Sequence, residues 1–166
     1  SVSVDSVGVN AFLGNPGILV TGTGSRLAAA NEVSLGLFGD GATLTLADGG
    51  ALDTPLIALN AGSQLRFGAG VAAGTLADAN AFITTGDSSY QGSGVVADFT
   101  GSMTLDAWIN GNLSVSVEKG DLTLTNTLND YDGGTRIAAG ASLTVRNNAV
   151  GSGAIVNDGI LVLDTS

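Results

Sequence analysis

Three features of the sequence together predict a parallel β-solenoid, an all-β fold of stacked coils. Apolar residues alternate with period two in short runs, glycines punctuate the runs, and the unit recurs about every twenty residues. The alternation is clearest in Asn126–Val145. There Thr135, Ile137 and Ala139 share one parity, and Ala141, Leu143 and Val145 resume it after a turn at Gly140. A unit with two or three inward side chains per strand cannot bury itself. It is expected to stack on copies of itself.

The copies follow one template: a glycine, one to three residues, an aliphatic residue, a polar one and another aliphatic. Examples run from Gly17-Ile-Leu-Val20 through Gly41-Ala-Thr-Leu-Thr-Leu46 and Gly62-Ser-Gln-Leu-Arg-Phe67. Later ones are Gly120-Asp-Leu-Thr-Leu124, Gly140-Ala-Ser-Leu-Thr-Val145 and Gly159-Ile-Leu-Val-Leu163. From leucine to leucine, Leu27 to Leu44 is 17 residues, Leu44 to Leu65 is 21, Leu122 to Leu143 is 21 and Leu143 to Leu161 is 18. So loose a period departs from hexapeptide or nonapeptide helices. Secondary strands (Glu32–Leu35, Pro55–Leu59, Thr135–Ala138) fall between the copies, giving two or three strands per coil. About seven coils at a spacing of about 4.8 Å would form a rod about 35 Å long.

Residues 1–166 read as a single solenoid segment, an excerpt of a longer protein. Within it, 71–108 is expected to form irregular, wider coils with a protruding loop at Gly86–Gly94, and 109–166 regular coils. Gly74–Phe82 reads as a loop with one apolar turn, and Val95–Phe99 and Met103–Ile109 as strands. The latter holds the chain's Met and its Trp. Loops on a rigid scaffold are where such proteins place binding.

Composition narrows the function. Gly is 26 of 166 residues, charged residues are 12%, and Cys and His are absent. Disulfides, thiolate metal sites and imidazole chemistry are thereby excluded. A formal net charge of −10 repels nucleic acid and anionic lipid, so neither is expected as a partner. No run nears the roughly 20 apolar residues of a membrane helix, so no membrane insertion by this segment is expected.

Candidate sites are few. Asp130-Tyr131-Asp132-Gly133 fails as an EF-hand, because Leu128 and Ala139 would occupy ligand positions; solvated turn carboxylates are the better account. No metal and no cofactor is expected. The acids fall singly at turns and the bases (Arg26, Arg66, Lys119, Arg136, Arg146) are scattered, which weighs against a carboxylate pair of the glycosidase kind. No catalytic residue is assigned, and the chain is read as not an enzyme. Tyr90 and Trp108 are candidate contact residues, since aromatics are scarce here and favoured at interfaces. For Trp108, closing a wide coil or capping the core is the preferred reading.

Asn129-Asp-Tyr-Asp-Gly-Gly-Thr-Arg-Ile-Ala-Ala-Gly140 resembles the autotransporter-associated β-strand repeat, Asn-x-Tyr-x-Gly-Gly-Thr-x-Ile-x-x-Gly. Asn129, Tyr131, Gly133, Gly134, Thr135, Ile137 and Gly140 carry the match. Two residues rather than one separate Gly140 from the next Leu. Val20–Leu52 is more loosely similar to repeats of large passenger domains of the same class. The resemblance implies a bacterial, type V secreted passenger: a right-handed, single-stranded parallel β-helix exported by a C-terminal β-barrel translocator to the cell surface or beyond. Such passengers commonly act as adhesins, in virulence or cell adhesion, so the expected partners are a host-cell surface, the extracellular matrix or sister cells. The first expectation is a non-catalytic, rigid stalk and contact surface. The alternatives are a C-terminal autochaperone, or folding nucleus, and a polysaccharide-acting β-helix enzyme.

Overall fold

Runs of small and aliphatic residues extend into strands, and the polar, glycine-bearing segments between them turn the chain through corners. The computed structural model describes residues 1–9, 14, 16–38, 41–85 and 92–165. Every regular element among them is a strand. In chain order they are β1 (Val2–Val9), β2 (Gly17–Thr21), β3 (Arg26–Leu35), β4 (Thr43–Ala47), β5 (Ala51–Asp53) and β6 (Leu56–Leu59). Next come β7 (Gln64–Phe67), β8 (Thr75–Leu76), β9 (Phe82–Thr84), β10 (Gly94–Leu105), β11 (Trp108–Gly111) and β12 (Ser114–Leu124). The last are β13 (Asp130–Tyr131), β14 (Thr135–Ile137), β15 (Ser142–Arg146), β16 (Ile155–Asn157) and β17 (Ile160–Asp164).

Among the described residues all strand pairs are parallel, and strands pair with their equivalents in neighbouring coils, with one break on the third face. The result is a single-stranded parallel β-solenoid of about six turns, against the seven expected from the repeats. The register sorts the strands into three faces. The first carries Val33, Ile57, Ile83 and Ile109 in line. On the second, Leu44, Leu65, Val95, Val115 and Thr135 are in line. The third face has two halves. Leu27, Leu52 and Leu76 line one, and Met103, Leu122, Leu143 and Leu161 the other. Those inward columns are the core, which is aliphatic but for Phe67, Phe99 and Tyr131 among its large side chains.

Three of the four leucine spacings are true coil steps, confirmed by the pairs Leu44–Leu65, Leu122–Leu143 and Leu143–Leu161. The fourth is not. Leu27 lies on the third face and Leu44 on the second face of the same coil, and the true partner of Leu27 is Leu52. Period-two parity cannot tell a neighbouring face from a neighbouring coil. Ala139 also departs from expectation: β14 ends at Ile137, and Ala139 sits exposed in the turn.

Coil length varies along the chain. On the second face Leu65 to Val95 is 30 residues, while Val95 to Val115, Val115 to Thr135 and Thr135 to Ile155 are 20 each. The two strands expected at 95–99 and 103–109 fall differently. β10 runs through both, turning the corner near Gly101 at φ +87°, and β11 begins at Trp108. Gly74–Phe82 holds the two-residue β8, a turn at Ala79–Asn80 and the first residue of β9. The expected loop at Gly86–Gly94 lies outside the described residues, save its last three positions.

The third face is interrupted. Its first half is built from β1, β3, β5 and β8, which are continuous with the first face. Its second half begins at Ser102–Leu105 of β10 and is continuous with the second face. Among the described residues no ladder pair joins β8 to β10. Gly74 explains part of this, since it lies so close to Leu46 and Gly50 of the preceding coil that a Cβ there would clash.

Candidate functional site

Gly133 and Gly134 of the motif turn the corner between the first and second faces, and Asn129 stands at the other end of the first-face strand, directly before β13. Asn129 is buried there. Its Oδ1 accepts a hydrogen bond from the Ile109 N–H at 2.8 Å, and its Nδ2 donates to the Ala149 carbonyl at 2.7 Å. Each partner is 20 residues away, so one side chain ties three successive coils. It replaces a backbone ladder at the point where the ladder breaks for the corner.

Two residues on, Tyr131 is fully buried, with its hydroxyl 2.8 Å from Oγ1 of the buried Thr135. Burial pushes the Tyr131 phenol above its ordinary value, although the hydrogen bonds with Thr135 and the Gly151 backbone oppose that. Gly133 passes the Leu113 carbonyl so closely that a Cβ would come within 2.6 Å. Gly134, at φ +92°, would place a Cβ 2.9 Å from the Ala154 carbonyl. Ile137 is a core residue. Gly140 has φ +81° and faces open space. Thus Asn129, Tyr131, Thr135 and Ile137 point inward, and the glycines let coils close on one another.

The corner between the first and second faces is polar in earlier coils, a pattern that the irregular coil lengths hide in the sequence. Asn60 donates from Nδ2 to the Leu35 carbonyl at 3.2 Å, and Oγ of Ser63 accepts from the Ala42 N–H at 3.0 Å. Oγ of Ser93 accepts from the Gly62 N–H at 3.1 Å. Buried side chains thus satisfy the backbone coil after coil. One polar atom stands apart: Oγ of Ser34 is buried with no partner among the described residues.

The outer surface carries the remaining candidates. Trp108 neither closes a coil nor caps the core, contrary to the sequence reading. Its neighbours Ala107 and Ile109 take the inward sites, so period two turns Trp108 outward, 37% exposed. Its ring stacks on Phe82 at a centroid distance of 4.6 Å, tilted by 37°. Leu56, Phe82 and Trp108 are in register on consecutive coils, forming an outward apolar ladder on the first face. Tyr90 lies outside the described residues.

The scattered bases prove to be organised. Arg26 pairs with Asp53, Arg136 with Asp158 at 3.6 Å and Arg146 with Asp164 at 3.2 Å, each acid belonging to the following coil. Arg66 reaches Asp98 and Glu118 at 2.7 Å each, linking three coils. Partial burial would lower its basicity, but the bonds to Asp98 and the charge of Glu118 outweigh that and hold the guanidinium more firmly protonated than usual. These are cross-coil ties along the outer sides of the second and third faces. Among the described residues no three Asp or Glu side chains converge to hold a metal. Comparison of the chain with protein-family models, curated proteins and solved structures found no match in any of the three.

Proposed function

We propose that this chain is a rigid, non-catalytic stalk and contact segment of an autotransporter passenger, displayed at a bacterial surface. The observation that carries the reading is the Asn129 tie. The motif that resembles the autotransporter-associated repeat spends its polar residues on joining coils and its glycines on turning corners. That use is what a load-bearing spacer requires. Contact with a host surface, extracellular matrix or a sister cell would fall to outward features, of which the Leu56–Phe82–Trp108 ladder is the most apolar.

The test is display. The chain is placed between a secretion signal and an outer-membrane β-barrel, and surface exposure and cell binding are measured. Surface display with binding that Trp108→Ser and Phe82→Ser abolish supports the reading. Cleavage of any polysaccharide by the purified chain would overturn its non-catalytic part.

A second reading is favoured by the run of cross-coil ties after residue 108, from Asn129 to Ile109 and Ala149, Arg136 to Asp158 and Arg146 to Asp164: the C-terminal coils act as a folding nucleus. Deleting residues 126–166 separates the two. Unchanged refolding of the remaining coils and intact secretion would rule the nucleus out.

A further inference from the structure

We propose that the cleft between β8 and the end of β10 is a docking site for a short extended peptide, which enters as an added parallel strand. The inference stands on the interrupted third face and does not depend on the passenger reading. In a parallel ladder each residue turns its N–H and C=O to one neighbour, and successive residues alternate. Thr75 and Ala77 donate to the carbonyls of Gly50 and Leu52 in the preceding coil. Leu76 therefore directs both its backbone groups into the cleft. On the opposite wall Leu105 accepts from Thr125 of the following coil, which leaves Ser102 and Thr104 directed into the cleft. On the cleft side these groups meet no protein partner among the described residues. Two facing strand edges with free donors and acceptors form a template for one more strand.

Space and side chains agree with that occupant. No ladder pair joins the walls among the described residues, and between them lies an open cleft of about 410 Å³. The ladder closes again at both ends, through the Ala72–Thr100 bridge and the Phe82–Trp108 pair, so the slot takes a few residues only. Leu76 and Met103 flank the gap, both partly buried against the core, and an apolar guest side chain would complete their column. Ser102 and Thr104 face outward, so the guest's alternate residues are polar. Asp78 and Asp106 line the end nearest the first face. A guest running parallel to its neighbours therefore carries Lys or Arg just after its strand.

The probe is an acetylated, amidated, fluorophore-labelled peptide of alternating Thr and Leu ending in two lysines, titrated into the full chain by anisotropy. Saturable micromolar binding is expected, with slowed amide exchange at Leu76, Ser102 and Thr104. Thr104→Pro removes a cleft-facing N–H and spares the bonds to β12, so it should weaken binding about tenfold or more, while Thr104→Val retains it. Should Thr104→Pro disturb folding, the peptide itself carries the test: methylating its alternate amide nitrogens abolishes binding, and exchanging its lysines for glutamates weakens it. Absence of binding at millimolar peptide, or equal binding of the methylated peptide, overturns the proposal. So does a dimer of the chain that occupies the slot and resists competition by the peptide.

Discussion

Asn129 ties three coils from a buried position, whereas the ion pairs stand in partly or largely solvated surroundings. Asn129→Ala would leave the Ile109 N–H and the Ala149 carbonyl buried and unpaired, at about 1–3 kcal/mol each. Chemical denaturation should show that loss, whereas Arg136→Ala, on an exposed pair, should cost well under 1 kcal/mol. Tyr131 adds a pH dependence whose sign follows from its raised phenol. Stability from keeping it neutral is fully present below the ordinary value of 10.0 and is lost as pH rises above it. Melting temperatures of the native chain should fall beyond about pH 10, and Tyr131→Phe should remove that part of the fall while costing about 1 kcal/mol at neutral pH. Ser34→Ala, by contrast, removes an unpaired buried hydroxyl and should be neutral or stabilising by about 1 kcal/mol in the same assay. Of these residues only the motif members were legible in the sequence, since Ser34 becomes an orphan through three-dimensional packing. Trp108 was misjudged for a related reason. Closing a coil or capping the core was the preferred reading over a surface contact, but the inward parity of β11 belongs to Ile109.

Among elements, the corners are more demanding than the strands. Gly134→Val combines a left-handed backbone with a collision against the Ala154 carbonyl, so a loss above about 3 kcal/mol is expected, or failure to fold. Gly140→Ala meets the backbone penalty alone, in open space, and should cost about 1 kcal/mol. Denaturant midpoints for both variants check the contrast, and equal losses would remove Gly134 from its corner role. Strands were readable because alternation encodes them directly. Their pairing was readable where coils are regular, as from Leu122 to Leu143 to Leu161. It was not readable where one coil takes 30 residues, because inserted corner residues shift the spacing without changing parity.

For the whole molecule, the two ends and the interrupted face set the behaviour. The end coils expose Val2, Leu19, Ile160 and Leu163, the last at 67%, beside strand edges that meet no partner strand among the described residues. The isolated chain should therefore associate end to end as concentration rises, and Leu163→Lys with Leu19→Lys should suppress the association in sedimentation runs. The split third face has a mechanical consequence. A rod with three walls resists bending through all of them, but here one wall is notched between β8 and Ser102 while the other two continue past it. Flexural stiffness is then lowest in the one direction that opens or closes the notch. The solenoid is a beam with a directional hinge near its midpoint, and a strand seated in the slot would act as a wedge that stiffens it.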